Sequence, residues 1–244
     1  MHLEILNSSK ENLDYEFHGD PSDTSLLAII GHGVTGNKDR PWAIGLAEAM
    51  EKAGFNALRF SFSGNGKSGG KFEDCTITKE LKDLKAVVDA AEEEGYHRIC
   101  YIGHSMGAAV GVLAAAKDER IELLVSLSGM GNTKEFVARE FGDQKPGKGC
   151  MWDDKACPLS QAFVDDMNKI DNVFGKTEKI EVPWLIVHGD ADDVVPVEEG
   201  QKMYASAYEP KEIVILPGVD HVYSGDGLGQ MTEAVVSWVK SHHS

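Results

Sequence analysis

Gly103-His104-Ser105-Met106-Gly107 stands where a short apolar run, Arg98 to Ile102, gives way to small, helix-favouring residues. A serine at a sharp strand-to-helix turn presents its hydroxyl above the end of a sheet. Side chains two positions to either side would collide with neighbouring elements, and glycine at 103 and 107 removes them. The helix that follows aims its free amides and the positive end of its dipole at charge forming beside Ser105. The chemistry implied is nucleophilic attack on an acyl group. In a chain with 26 glycines the pattern alone is weak, so it needs a base, an acid and an oxyanion donor elsewhere.

Serine becomes a competent nucleophile only when a base removes its proton. On a strand-to-helix turn of this kind the three roles follow in the order Ser, Asp or Glu, His. The segment His188-Gly189-Asp190-Ala191-Asp192-Asp193-Val194-Val195-Pro196 offers three carboxylates after one strand, and Gly218-Val219-Asp220-His221 follows the last strand. His221 is therefore the candidate base, while His32, His104 and His188 read as structural residues flanking strand ends. The oxyanion needs two backbone donors. Met106 N–H, next to the nucleophile, is one. Spacing in the loop after Leu26 to Ile30 makes Val34 N–H the other.

The elements that must position these groups read as alternating strands and helices. Strands are expected at Leu3 to Leu6, Asp14 to His18, Leu26 to Ile30, Ala57 to Phe62, Arg98 to Ile102, Ile121 to Leu127, Pro183 to His188 and Glu212 to Leu216. Helices are expected from Pro41 to Ala53, Ile77 to Glu94, Ser105 to Lys117 and Pro196 to Tyr208, with a closing amphipathic helix carrying Leu228, Met231, Val235, Trp238 and Val239. Such alternation predicts an α/β fold, a mostly parallel, doubly wound sheet with helices on both faces and ligands at the carboxyl ends of its strands. Gly64-Asn65-Gly66-Lys67-Ser68-Gly69-Gly70 resembles nucleotide-binding loops only superficially. No helix opens directly after it, and Ser61 stands where a phosphate loop needs its first glycine, so it reads as a tight loop beside the site.

Residues 130–180 break the rhythm. They are polar and aromatic, with Phe163, Met167, Ile170 and Phe174 at helical spacing. That stripe reads as packing against the body, one edge of which roofs a pocket. The expected organisation is a core of residues 1–129 and 181–244 and an inserted lid of residues 130–180, with Trp152, Phe163 and Met167 meeting the substrate.

A formal charge of −16 excludes phosphate-backbone binding and an anionic membrane surface. No stretch approaches the ~20 apolar residues of a membrane span. The first residues lack the basic patch and apolar core of a signal peptide, so a cytoplasmic protein is expected. The cysteines Cys75, Cys100, Cys150 and Cys157 lack metal-ligand spacing and read most simply as reduced thiols, with Cys150 and Cys157 close enough in sequence to leave a bridge between them open.

Together, Gly31-His32-Gly33, the Ser105 pentapeptide, the His188 to Pro196 segment and Asp220-His221 make the chain resemble an α/β-hydrolase across essentially its whole length. His-Gly-x-Thr-Gly-Asn at 32–37 and Gly-Asn-Gly-Lys-Ser at 64–68 are similar to the cinnamoyl/feruloyl esterase and serine-aminopeptidase-like branch. The resemblance implies that the acid is Asp192, ahead of Asp190 and Asp193. It implies a carboxylesterase that works through an acyl-enzyme, with Ser105, Asp192 and His221 catalytic and with neither metal nor organic cofactor. The expected partners are a small or medium apolar or aromatic ester and, at most, a second copy of the chain in a homodimer. Rival readings are a peptidase or amidase with the same triad, a monoacylglycerol-type lipase, and a non-catalytic binding module on a hydrolase fold.

Overall fold

The computed structural model describes residues 4–243. Seven strands form one sheet in the order β1 (Tyr15–His18), β3 (Asn56–Phe60), β2 (Leu27–Gly31), β4 (Ile99–His104), β5 (Ile121–Leu127), β6 (Trp184–Gly189) and β7 (Lys211–Leu216). Only β1 runs antiparallel, pairing with β3. The central strands β2, β3, β4 and β6 are buried at every position, as a sheet covered on both faces demands.

Alternation along the strands divides the core in two. Ala28, Ile30, Cys100, Ile102, Leu185 and Val187 face α1 (Pro41–Lys52) and α8 (Asp226–His242). Leu27, Ile29, Leu58, Phe60, Tyr101 and Ile186 face the layer that contains α2 (Ile77–Glu93), α3 (Met106–Ala115) and α7 (Val197–Ser206). Local signals start the helices where the sequence places them. Pro41 occupies the first turn of α1. The Thr76 side chain caps α2 by accepting from Lys79 N.

Between β5 and β6 the chain forms α4 (Thr133–Phe141), a single turn at Met151–Asp153, α5 (Gln161–Ile170) and α6 (Phe174–Thr177). Phe136, Phe141 and Phe163 are buried there with Met167. The segment is tied to the body through α2, where Thr78 N and Oγ1 donate to the Asp166 carboxylate. No helix among the described residues is long and apolar enough to cross a membrane. All four thiols are free.

Two sequence expectations need correction here. The strand expected at Leu3 to Leu6 does not form. Leu3 lies outside the described residues, and beyond it only an isolated bridge, Leu6 to Asn12, closes a turn. Asn7 explains the turn: its Oδ1 accepts from Ser9 N and Glu11 N, offering the backbone a local alternative to a strand ladder. The 64–70 loop, expected beside the site, does not line the cavity that Ser105 and His221 share. It clamps the amino-terminal turn instead, with Gly69 N donating to Asn12 O and Ser68 Oγ accepting from Asp14 N.

Candidate active site

Three strand ends converge. Ser105 follows β4 directly, with φ 54° and ψ −119°, a sparsely populated conformation for a residue with a side chain. The neighbours fix it there: Ser105 N donates to Leu127 O (2.9 Å) and its carbonyl accepts from Met130 N (3.1 Å). A Cβ on Gly107 would lie 2.6 Å from His32 O, and one on Gly33 would lie 2.6 Å from Ser105 Cβ. Glycine at both positions is what lets the β2 loop close against the Ser105 turn. That approach brings Val34 to the wall of the cavity into which Ser105 opens, while Met106 begins α3.

Asp192 sits in the loop after β6 with its side chain fully buried. One carboxylate oxygen accepts from Val194 N (3.0 Å) and Val195 N (2.8 Å), and the other accepts from His221 Nδ1 (2.8 Å). Burial by itself would raise the carboxyl's pKa. Hydrogen bonds from His188, His221 and Val195 N outweigh it and hold Asp192 well below the usual carboxylate range. The competing acids point elsewhere. Asp190 Oδ1 accepts from Gly218 N (2.6 Å), tying the β6 and β7 loops together, and Asp193 is exposed.

The bond to Asp192 engages Nδ1 and leaves His221 Nε2 uncommitted by it. His221 and Ser105 line one cavity of about 270 Å³, together with Val34, Trp42, Trp152 and Val222. No hydrogen bond joins the Ser105 hydroxyl to His221 among the described residues. Such bonds are often long in ligand-free sites and tighten when substrate binds.

The other three strand-end histidines brace this arrangement. His104 Nε2 donates to the His221 carbonyl (2.8 Å), and its ring lies 4.7 Å from those of both Trp42 and His221. Burial, reinforced by the neighbouring His221, pushes its pKa down to about 3. His32 Nδ1 donates to Gly33 O (2.8 Å) and its Nε2 accepts from Phe62 N (3.0 Å). Burial lowers its pKa to about 4. His188 Nε2 donates to Val195 O (2.9 Å) and lies 3.3 Å from Asp192. Tautomers here follow from these bonds. His32 and His104 are neutral struts, and the part His104 plays in holding the His221 backbone has no signature in the sequence.

The expectation for the substrate wall needs correction. Phe163 and Met167 do not reach the cavity. They are buried in the core, where the Phe163 ring packs 6.4 Å from that of Phe141. A helix must bury its most apolar stripe, and α5 buries it downward. Trp152, half exposed with φ 46°, does line the cavity and donates from Nε1 to Glu140 (3.1 Å). Among the described residues no group of three or more His, Cys, Asp or Glu is placed to hold a metal ion.

A family model described as "Prolyl oligopeptidase family" matches residues 45–244. Est1E from Butyrivibrio proteoclasticus, in a structure with ferulic acid bound, is similar over 98% of both chains, with 29% identity and a TM-score of 0.87. The Pyrococcus furiosus esterase Pf2001 covers 98% of this chain and 91% of its own, with 25% identity and a TM-score of 0.77. The uncharacterised protein YfhR of Escherichia coli K12 is 26% identical over 83% of this chain. The chain spans 65% of that relative's length.

Proposed function

Because the chain belongs to the prolyl oligopeptidase family, and so is a hydrolase of the α/β-hydrolase superfamily, we propose that it is a serine carboxylic-ester hydrolase acting through an acyl-enzyme. The observation that carries this reading is the 2.8 Å bond from His221 Nδ1 to a buried, ionised Asp192, with the other imidazole nitrogen left for the serine sharing the cavity. That bond fixes the tautomer a general base needs, and it favours the imidazolium once the proton arrives.

In this mechanism Ser105 attacks the ester carbonyl as His221 Nε2 takes the hydroxyl proton. The amides of Met106 and Val34 stabilise the oxyanion. The tetrahedral intermediate collapses, the alcohol departs with the proton from His221, and water repeats the sequence on the acyl-serine. Trp42, Trp152, Val34 and Val222 give the cavity apolar and aromatic walls. Its volume is at the small end for ligand sites, which supports small or medium esters with an apolar or aromatic acyl group. The ferulic acid bound to Est1E supports the aromatic choice. Residues 130–180, which supply Trp152, act as the lid.

A fluorophosphonate probe tests this directly. The native protein is expected to be labelled at Ser105, and the Ser105→Ala variant to be left unlabelled. A folded native protein that resists the probe overturns the reading. The family's description also favours a second activity, cleavage of peptide bonds by the same triad. Competing p-nitrophenyl esters against aminoacyl p-nitroanilides separates the two, and faster anilide cleavage selects the peptidase.

A further inference from the structure

The wall of the catalytic cavity includes one charged side chain that the mechanism does not use, Arg40. Among the described residues every other arginine meets a carboxylate: Arg59 at Asp39, Arg98 at Glu122, Arg120 at Asp118, Asp89 and Glu92, and Arg139 at Glu140. Arg40 has none within 4.0 Å, in a chain with 40 acidic residues. Its sequence neighbour Asp39 is already held by Lys38 Nζ (3.0 Å) and Arg59 Nη1 (2.7 Å). Arg40 is nevertheless not loose. Its Nη2 donates to Thr35 O (2.8 Å), docking the guanidinium on the loop that carries Val34.

No Asp or Glu lines this cavity. An exposed guanidinium anchored by one hydrogen bond, with donors to spare, beside tryptophan walls and with no carboxylate in the cavity lining, can recognise a carboxylate. A chain so acidic repels anions in general, so the one arginine among the described residues without a carboxylate partner, standing on the wall of this cavity, gives an anionic group a local point of attraction. We propose that Arg40 is a specificity-determining residue, and that the preferred esters carry a carboxylate which its guanidinium binds. This inference rests on the ester-hydrolase reading and narrows it, from apolar or aromatic esters to those that are also anionic.

Two matched substrate pairs test it, because the charge could sit on either side of the ester. On the acyl side, mono-p-nitrophenyl glutarate is set against p-nitrophenyl valerate. On the alcohol side, p-acetoxybenzoate is set against its methyl ester. The quantity read is the ratio of kcat/KM for the anionic member to that for the neutral one. In one pair Arg40→Gln should lower this ratio about tenfold, as expected for a charge-assisted contact at a partly solvated site. Arg40→Lys, which keeps the charge, should retain part of the preference, and added salt should erode it in the native enzyme. Because the ratio is read, a general loss of activity in a variant does not imitate the effect. Ratios equal in native and Arg40→Gln enzyme for both pairs would overturn the proposal.

Failure of the esterase reading would look different, with none of the four esters cleaved by native protein. Calorimetry with benzoate and benzamide then decides the anion site without turnover. Tighter binding of benzoate that disappears in Arg40→Gln supports it, and equal binding of the two ligands overturns it.

Discussion

The loops at the carboxyl ends of β4, β6 and β7 and the 130–180 segment both face the cavity that Ser105 and His221 share, and they are held by different balances of force. Directional bonds from buried groups hold the first. Ser105 is locked by Leu127 O and Met130 N, Asp192 by two amides and two imidazoles, and the His221 carbonyl by His104. Aromatic packing fills the second, through Phe136, Phe141, Phe163 and the edge of Trp152, whose ring sits 5.0 Å from that of Phe141. Hydrogen bonds from Thr78 to Asp166 and from Gly131 N and Asn132 N to Glu199 tie its edges to the body. In the proposed mechanism proton transfer fails with displacements of an ångström or so, which loops anchored in the sheet prevent. The acyl contact proposed for the second region tolerates more, and for that a packed aromatic cluster suffices.

The sharpest way to test this division is to strike each region and compare the losses. Ser105→Ala should lower kcat for a p-nitrophenyl ester by roughly 10⁴- to 10⁶-fold while leaving the thermal transition near that of the native protein. Asp192→Asn should follow, with a loss of roughly 10⁴-fold in kcat, because the amide can no longer accept the Nδ1 proton in the same way. Stopped-flow or steady-state ester assays read both. If Asp192→Asn were as active as native enzyme, the orienting role would pass to another group.

In the aromatic segment the losses should divide between stability and affinity. Phe163→Ala removes a fully buried ring and should cost about 3–5 kcal/mol in denaturant unfolding, with the order of preference among esters unchanged for the enzyme that stays folded. Trp152→Ala, at a half-exposed ring on the cavity wall, should do the reverse. It should raise KM for aromatic acyl esters several-fold, to about the extent expected for one lost aromatic contact, and barely alter KM for acetates. An unchanged KM for both ester classes would remove Trp152 from the substrate wall.

The smallest effect belongs to the neutral struts. In the folded protein His32 and His104 have pKa values of about 4 and about 3, against an ordinary value of 6.5. Below pH 6.5 the unfolded chain takes up protons that the folded one refuses. Their contribution is therefore present above that pH and is lost progressively as pH falls toward about 4. Urea unfolding between pH 7 and pH 4.5 should show this decline, and it should be shallower in a His104→Gln variant. A slope identical to that of the native protein would mean that His104 is not held neutral.

Much of this was legible from residue order alone. Buried strands announce themselves as unbroken apolar runs such as Leu26 to Ile30, and the helices of the body as regular stripes with proline or threonine at their starts. Those signals are local, and so is the glycine-serine-glycine turn, where sterics between residues two apart dictate the sequence. The chain order of serine, carboxylate loop and histidine narrowed the catalytic set for the same reason, since each member follows its own strand. The sequence alone also left Asp190, Asp192 and Asp193 as alternatives, with only family resemblance to rank them.

Tertiary structure decided what depends on direction and distance. It turned Asp192 toward His221 while Asp190 was drawn off by Gly218 N, a choice made by loops 28 residues apart in the chain. It sent Phe163 and Met167 into the core and left Trp152 at the cavity, because hydrophobic spacing specifies that a stripe is buried but not against what. It also left Arg40 with no carboxylate among the described residues within ion-pair distance, although Asp39 precedes it, because Lys38 and Arg59 hold that carboxylate. Pattern along a chain records which residues share a face. Only the packing of one element on another determines what that face meets.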